Sequence, residues 1–351
     1  MKREFIDRNG RNEDRKEAFV VRASCRRGTR LGFSLFLALG LILGGCREPR
    51  ERVIFEGGPE GGTFYIFAGG MAKLFEDAIP GTRITVQRSG GSVYNLLRVE
   101  SGSSGMAIVY ANDALAGARG ELPNYPRPLF SVLGVARLYG GSAHLAVPRD
   151  SPCTSPFQLK GKRVGVGYSG SATALSAEKF FRSLGMWESI IPDFSSYDLA
   201  ATDFKDGRLD ALWQMVGFPS LSLTKINRET PIRLLDLGEA AREAGFFQKH
   251  PAYTPAIIPA GTYRGLDYPV ETFQDQALWV ASAGVDEEFV YRALTVLFSE
   301  GGMRNLKKVH PIAGDLSMTE GGRIGVLPLH PGAARFWSEQ EEGPEFVLPG
   351  P

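Results

Sequence analysis

Three places in this chain join a strand-like stretch to a Gly-rich turn and then to a helical pattern, and the residues able to do chemistry gather there. Val53-Ile54-Phe55 runs into Glu56-Gly57-Gly58-Pro59-Glu60-Gly61-Gly62-Thr63, after which Phe64, Phe67, Met71, Leu74 and Phe75 recur three or four apart. The alternating stretch 83–87 runs into Ser89-Gly90-Gly91-Ser92 and a second helical pattern at Val93, Leu96 and Leu97. Val164-Gly165-Val166 runs into Gly167-Tyr168-Ser169-Gly170-Ser171-Ala172-Thr173, the start of a third. A helix start leaves backbone N–H groups without intrahelical partners and carries the positive end of the helix dipole. Glycines and hydroxyls delivered there suit a small anion such as a carboxylate. The plainer reading of each place is a capped helix.

Other chemistry finds little footing. Gly165-Val-Gly167-Tyr-Ser-Gly170 has the dinucleotide spacing G-x-G-x-x-G. That fingerprint also needs an acidic residue at the end of the next strand, about 20 residues on. Glu188 and Asp193 lie near that distance, but 185–192 reads as a helix end and loop. His144, His250, His310 and His330 are not at metal-ligand spacing, so surface or packing roles are expected of them. No G-K-[ST] follows a Gly-rich loop, and no Gly-x-Ser-x-Gly elbow occurs. The expectation is a binding protein and not an enzyme, with no cofactor and no metal. The net charge of +1 gives no footprint for nucleic acid.

The elements that position these turns alternate, strand then helix, which argues for parallel α/β sheets. Strands are expected at 53–57, 83–88, 105–110, 129–139, 143–147, 164–166, 211–216, 232–235 and 276–283. Helices are expected at 64–77, 92–101, 172–184, near 199–206, from Pro219, and at 287–299. The central set reads as inserted between two outer ones. The expected division is therefore 47–141 for the first part of one lobe, 142–269 for a second lobe, and 270–351 completing the first.

Residues 1–46 read as an export segment. An uncharged apolar run at 31–43 follows Arg22, Arg26, Arg27 and Arg30, and at about a dozen residues it is too short to span a membrane. It ends in Leu43-Gly44-Gly45-Cys46, which looks like a bacterial lipobox, so Cys46 is the expected lipidation site. The first 20 residues are too long and acidic for a signal's charged head; a start at Val20 or Val21 would give an ordinary one. With Cys25 in the signal and Cys46 lipidated, Cys153 is alone in the mature chain and is expected to be a passive surface thiol.

Eight segments, in order, carry a family resemblance. They are 61–65, 86–95, 105–113, Leu159-Lys-Gly-Lys-Arg-Val164, 167–173, Asp206-Gly-Arg-Leu-Asp-Ala211, Thr254-Pro-Ala-Ile-Ile-Pro-Ala-Gly-Thr-Tyr263 and Leu329-His-Pro-Gly-Ala333. Together they resemble the TAXI family of solute receptors for TRAP transporters, over about Val53 to Trp337. The resemblance implies a periplasmic-binding-protein fold of type II, with two α/β lobes, a ligand cleft and crossing hinge strands. It implies a monomeric, lipid-anchored protein of the periplasm or cell surface that delivers an anionic solute to a TRAP membrane permease. The family's ligand loops fall on Thr63, Phe64 and Tyr65; Ser89, Gly90, Gly91 and Ser92; and Asn112 and Asp113. They also fall on Ser169, Gly170, Ser171, Ala172 and Thr173, and on Gln214, Val216, Gly217 and Phe218. In the resulting scheme Ser92, Ser171 and Thr173 hold a carboxylate, and Tyr65, Tyr139 and Phe218 wall the rest of the ligand. Asp113 meets an amine, so the ligand is an amino acid such as glutamate or glutamine, or a related organic acid. Arg88 and Leu138-Tyr139-Gly140-Gly141 depart from the family's usual pattern. The rival functions are a sensing receptor of the same fold without transport, and a nucleotide-dependent enzyme built on the turn 165–170.

Overall fold

The computed structural model describes residues 51–340; the export segment, with Cys25 and Cys46, lies outside the described residues. The chain opens as a βα repeat: β1 (Glu51–Glu56), α1 (Thr63–Ala78), β2 (Thr82–Gln87), α2 (Ser92–Glu100), β3 (Met106–Tyr110) and α3 (Ala111–Arg119). One long strand follows, β4 (Val132–Pro148). A second repeat runs through β5 (Arg163–Gly165), α4 (Ala172–Ser183), β6 (Ile191–Asp193), α5 (Tyr197–Lys205), β7 (Ala211–Val216), α6 (Leu221–Glu229) and β8 (Ile232–Leu234). Two short helices, α7 (Gly238–Glu243) and α8 (Phe246–Lys249), lead to β9 (Thr254–Ile258) and the long β10 (Val270–Ser282). Helices α9 (Glu287–Leu297), α10 (Glu300–Val309), α11 (Met318–Gly321) and α12 (Pro331–Glu339) complete it.

The strands lie in the order β2-β1-β3-β10-β4-β7-β5-β6, with β8 beside β4 and β9 beside β10. Each flank is parallel: β1 runs with β2 and β3, and β5 runs with β6 and β7. Antiparallel β4 and β10 join the flanks. β4 changes neighbour at Ser142, which pairs with Gln274 of β10 on one side and Val216 of β7 on the other. Gly140 and Gly141 keep this crossing free of side chains. A Cβ on the first would strike the Gln274 amide, and one on the second the Tyr110 ring.

Apolar spacing explains the packing. Phe64, Phe67, Met71 and Phe75 of α1 fall on one face and are buried. In the other flank Phe180 and Phe181 of α4 meet Trp213 of β7, and Phe180 meets Phe273 of β10, with ring centroids 5.3 to 5.8 Å apart. Each such aromatic contributes on the order of 2 kcal/mol or more when fully buried. Among the described residues, no helix is long and apolar enough to cross a membrane.

Several expectations need correction. The two apolar runs at 129–139 and 143–147 are one strand, because β10 pairs through Gly140–Ser142 and β7 takes up the other side at Ser142. The strand expected at 276–283 begins at Val270, where pairing with β9 supports its polar start. The segment 185–192, read as a helix end and loop, contains the start of β6. Helix α3 shows no apolar periodicity because it buries alanines and Asp113. Cys153 is not a surface thiol: it is buried. Arg233 bonds the carbonyls of Ser151 and Cys153, and Gln158 takes the Thr154 and Ser155 N–H groups, which folds the loop inward.

Candidate anion-binding cleft

The N-termini of α1, α2 and α4 converge on one cleft between the flanks, at the carboxyl ends of the parallel strands. Helix α1 brings Gly62, Thr63 and Phe64, with Pro59 before it; α2 brings Ser92 with Gly90 and Gly91 before it. Helix α4 brings Ala172 and Thr173, with Ser171 and Tyr168 from the turn. Tyr197 opens α5, and the strand ends supply Tyr110, Met215 and Val216. The space between the cleft walls is about 460 Å³ with the open mouth counted, and about 30 Å³ of it has room for water. One water needs roughly 10–15 Å³ by that second measure. The flanks therefore stand nearly shut.

Helix ends decide the electrostatics. Helix α1 has Gly62 at its N-cap and α2 has Gly91, and neither receives a side-chain cap. Gly91 adopts φ 98° and ψ −161°, a conformation open in practice to glycine alone. Helix α4 differs, since the Ser171 hydroxyl accepts from the Ala174 N–H at 3.1 Å. The other hydroxyls are also engaged within the protein. Thr63 donates to the Gly217 carbonyl at 3.3 Å, and the Thr173 and Tyr197 hydroxyls lie 2.9 Å apart. Ser92 Oγ accepts from the Tyr110 N–H at 2.8 Å. What the cleft offers a ligand is thus backbone N–H at uncapped helix starts, framed by tyrosines. No Arg, Lys, His, Asp or Glu lines it among the described residues.

The cleft gathers Thr63, Phe64, Gly90, Gly91, Ser92, Ser171, Ala172, Thr173 and Val216 from the sequence-derived set. The rest stand outside its lining. Tyr139 is not a wall: it is 1% exposed and packs on Phe67 at 4.8 Å, within the core. Phe218, ahead of Pro219, packs against the main core and a smaller cluster of the second flank. Tyr65 faces outward, with the Arg88 guanidinium 6.0 Å from its ring centre and Arg88 paired to Glu60 at 2.8 Å. Ser89 accepts from the Gly91 N–H and shapes the turn. Ser169 and Gly170 lie on the exposed crest of theirs. Gln214 is buried and bonds Ser220 and Ser222, while Gly217 offers its carbonyl to Thr63. Asn112 donates to Asp275, and Asp113 is buried behind the cleft.

Pro59, Gly62, Tyr110, Tyr168, Tyr197 and Met215 complete the lining beyond that set. Pro59, Gly62, Tyr110 and Tyr168 lay inside quoted segments. Tyr197 had only the capping residue Ser196 to mark it. Burial pushes the Tyr197 phenol up to about 12, partly offset by its bond to Thr173, so it stays neutral.

The turn 165–170 also differs from expectation. Asp193 ends β6, parallel to β5, so an acid does stand where the dinucleotide spacing wants one. Its Oδ1 accepts from the Ser195 N–H at 3.2 Å and shapes the local turn. The histidines are structural. Burial pushes His144 down to about 4, and it links the Ser142 carbonyl to the Tyr263 hydroxyl. His310 and His330 accept helix-start N–H groups two residues on. Among the described residues no cluster of three metal-binding side chains occurs.

A model of the NMT1-like family matches residues 55–341. Among solved structures, MatC from Rhodopseudomonas palustris, with bound malate, superposes with a TM-score of 0.53 at 14% identity, covering 84% of this chain and 98% of that one. The periplasmic binding protein BugD gives 0.50 at 12% identity, over 84% and 95%. Likeness at such identities speaks to the fold, which is that of periplasmic binding proteins.

Proposed function

We propose, from the premise that this chain belongs to the NMT1-like family, that it is an extracytoplasmic receptor that closes on a small organic acid and presents it to a membrane permease. One observation carries the reading: helix N-termini from both flanks of the sheet meet in a single cleft, and two of them have no side-chain cap. Each terminus contributes about 0.3–1 kcal/mol to an anion, and up to about 2 when partly buried. Hydrogen bonds to the charged group add roughly 1.5–3 kcal/mol each. A carboxylate is held this way without an arginine clamp. The first flank (47–141 with 270–351) and the second (142–269) act as two lobes, with β4 and β10 as the hinge between them.

An organic acid fits better than an amino acid. Asp113, the residue expected to meet an amine, does not line the cleft. Burial also pushes its carboxyl up, toward the neutral form. An ammonium group in this cleft would lose water with no charge to replace it. The bound malate of the R. palustris protein of like fold is in keeping with this choice. The lipid anchor at Cys46 and a TRAP-type permease as partner rest on the lipobox and the family resemblance in sequence.

Thermal-shift screening against small monocarboxylates, malate, amino acids, neutral sugars and metal cations tests the ligand class. Organic acids should raise the melting temperature most. Stabilisation by sugars or cations alone would sink the reading.

A further inference from the structure

Behind the cleft two buried carboxyl groups lie at the start of one helix, α3. Asp113, in the first turn of α3, is 4% exposed, and Asp275, in β10, is 2% exposed. The Asn112 backbone N–H and side-chain amide donate to the two oxygens of Asp275, at 3.3 and 3.1 Å. Asp113 has the Ser92 hydroxyl near it, but its Oδ2 has no partner among the described residues. A bare carboxylate oxygen at that depth is costly, and two ionised carboxylates side by side are more so. The groups facing the pair do not neutralise two charges. Lys179 of α4 is the one cation whose charge reaches both, from a half-buried position 5.7 Å over the Tyr253 ring. Tyr110 of β3 and Tyr253 are phenols kept neutral by burial. Burial, then the charge of Asp113, pushes Asp275 up to about 8. Burial pushes Asp113 in the same direction.

Ser92 connects the pair to the ligand site. It opens α2, lines the cleft, accepts from the Tyr110 N–H and lies close enough to Asp113 to favour its ionised form. We propose that Asp113 and Asp275 form a proton-binding site under the cleft, holding one proton between them, and that loss of this proton weakens the cleft's grip on an anion. The coupling rests on the cleft being the anion site; the proton site does not. A second negative charge behind the starts of α2 and α3 opposes the dipole field that draws the anion in. By reciprocity, an anion that prefers the protonated pair must itself draw a proton into it. Affinity therefore rises as pH falls through the pair's upper ionisation.

Two measurements decide it. Side-chain carboxyl ¹³C shifts of labelled aspartate, followed from about pH 5 to 10 in ligand-free protein, should show a titration near 8. It should vanish in Asp275→Asn, and Lys179→Met, at a half-buried site, should move it upward by removing the cation. Asp113 and Asp275 both titrating below about pH 5 would overturn the proton site. Calorimetry with pyruvate as the probe anion should then give about tenfold weaker binding one unit above the titration midpoint than one unit below it. The difference should disappear in Asp275→Asn; equal affinity at both pH values in the unaltered protein overturns the coupling. If pyruvate binds at neither pH while the titration is present, the proton site stands and the carboxylate reading of the cleft is what fails.

Discussion

Gly141 has no side chain because Tyr110 occupies the space where one would be. Tyr110 lines the cleft from the first flank and donates its hydroxyl to the Met215 carbonyl of the second, at 2.8 Å. A backbone position in the hinge strand thus fixes where an aromatic wall stands. Gly141→Ala should overpack the crossing and cost about 1–3 kcal/mol, read as a lower urea midpoint at unchanged slope. Displacing Tyr110 should weaken carboxylate binding as well. A variant with the original midpoint would show that the ring yields freely and that the glycine is not required for packing. The same segment, 138–141, stands out in the sequence as a departure from the family pattern, but nothing in it points to Tyr110, 31 residues earlier.

Helix ends, more than side chains, do the binding at the next scale. Ser171 caps α4, Ser196 caps α5 and Ser220 caps α6, each by accepting an N–H three residues on. Helices α1 and α2 instead begin at glycine and keep their first-turn N–H groups unclaimed by side chains. That contrast makes a specific prediction at Gly62, whose φ of −83° any residue adopts. Gly62→Ser supplies the missing cap and should stabilise the ligand-free protein by a few tenths of a kcal/mol. The new hydroxyl should compete with the anion for the same N–H groups and cut affinity by about tenfold, on the order of 1.4 kcal/mol. Its Cβ would lie 3.1 Å from the Pro59 carbonyl oxygen, so the gain requires the turn to open slightly. Full affinity in this variant, with its melting temperature retained, would show that α1 does not hold the ligand.

Among the described residues β4 and β10 run between the flanks, which also share one apolar core, and the cleft is nearly shut. Backbone N–H groups that face one another across the cleft gain little from closure without a bridging anion. The ligand-free protein in solution should therefore have a larger radius of gyration than the structure described here, and a saturating carboxylate should bring it down. Small-angle scattering checks this; identical profiles with and without ligand would argue against a closing receptor. How far these features could be read in advance follows from the range of the forces involved. Local ones left their mark in the sequence: the 3.6-residue spacing of Phe64, Phe67, Met71 and Phe75, the Gly-rich turns before α1, α2 and α4, and the strand–helix alternation that made each flank parallel. Those signals need only neighbouring residues, so the α/β class and three of the four helix starts in the cleft were legible. Side-chain direction and burial were not, because they depend on partners far along the chain. Tyr139 turns into the core against Phe67, Asp113 is buried outside the cleft lining, and Tyr197 arrives beside Thr173 from a later helix. Sequence determined that helix starts would be available to an anion; only the tertiary fold decided which of them meet, and which polar side chains were already engaged elsewhere.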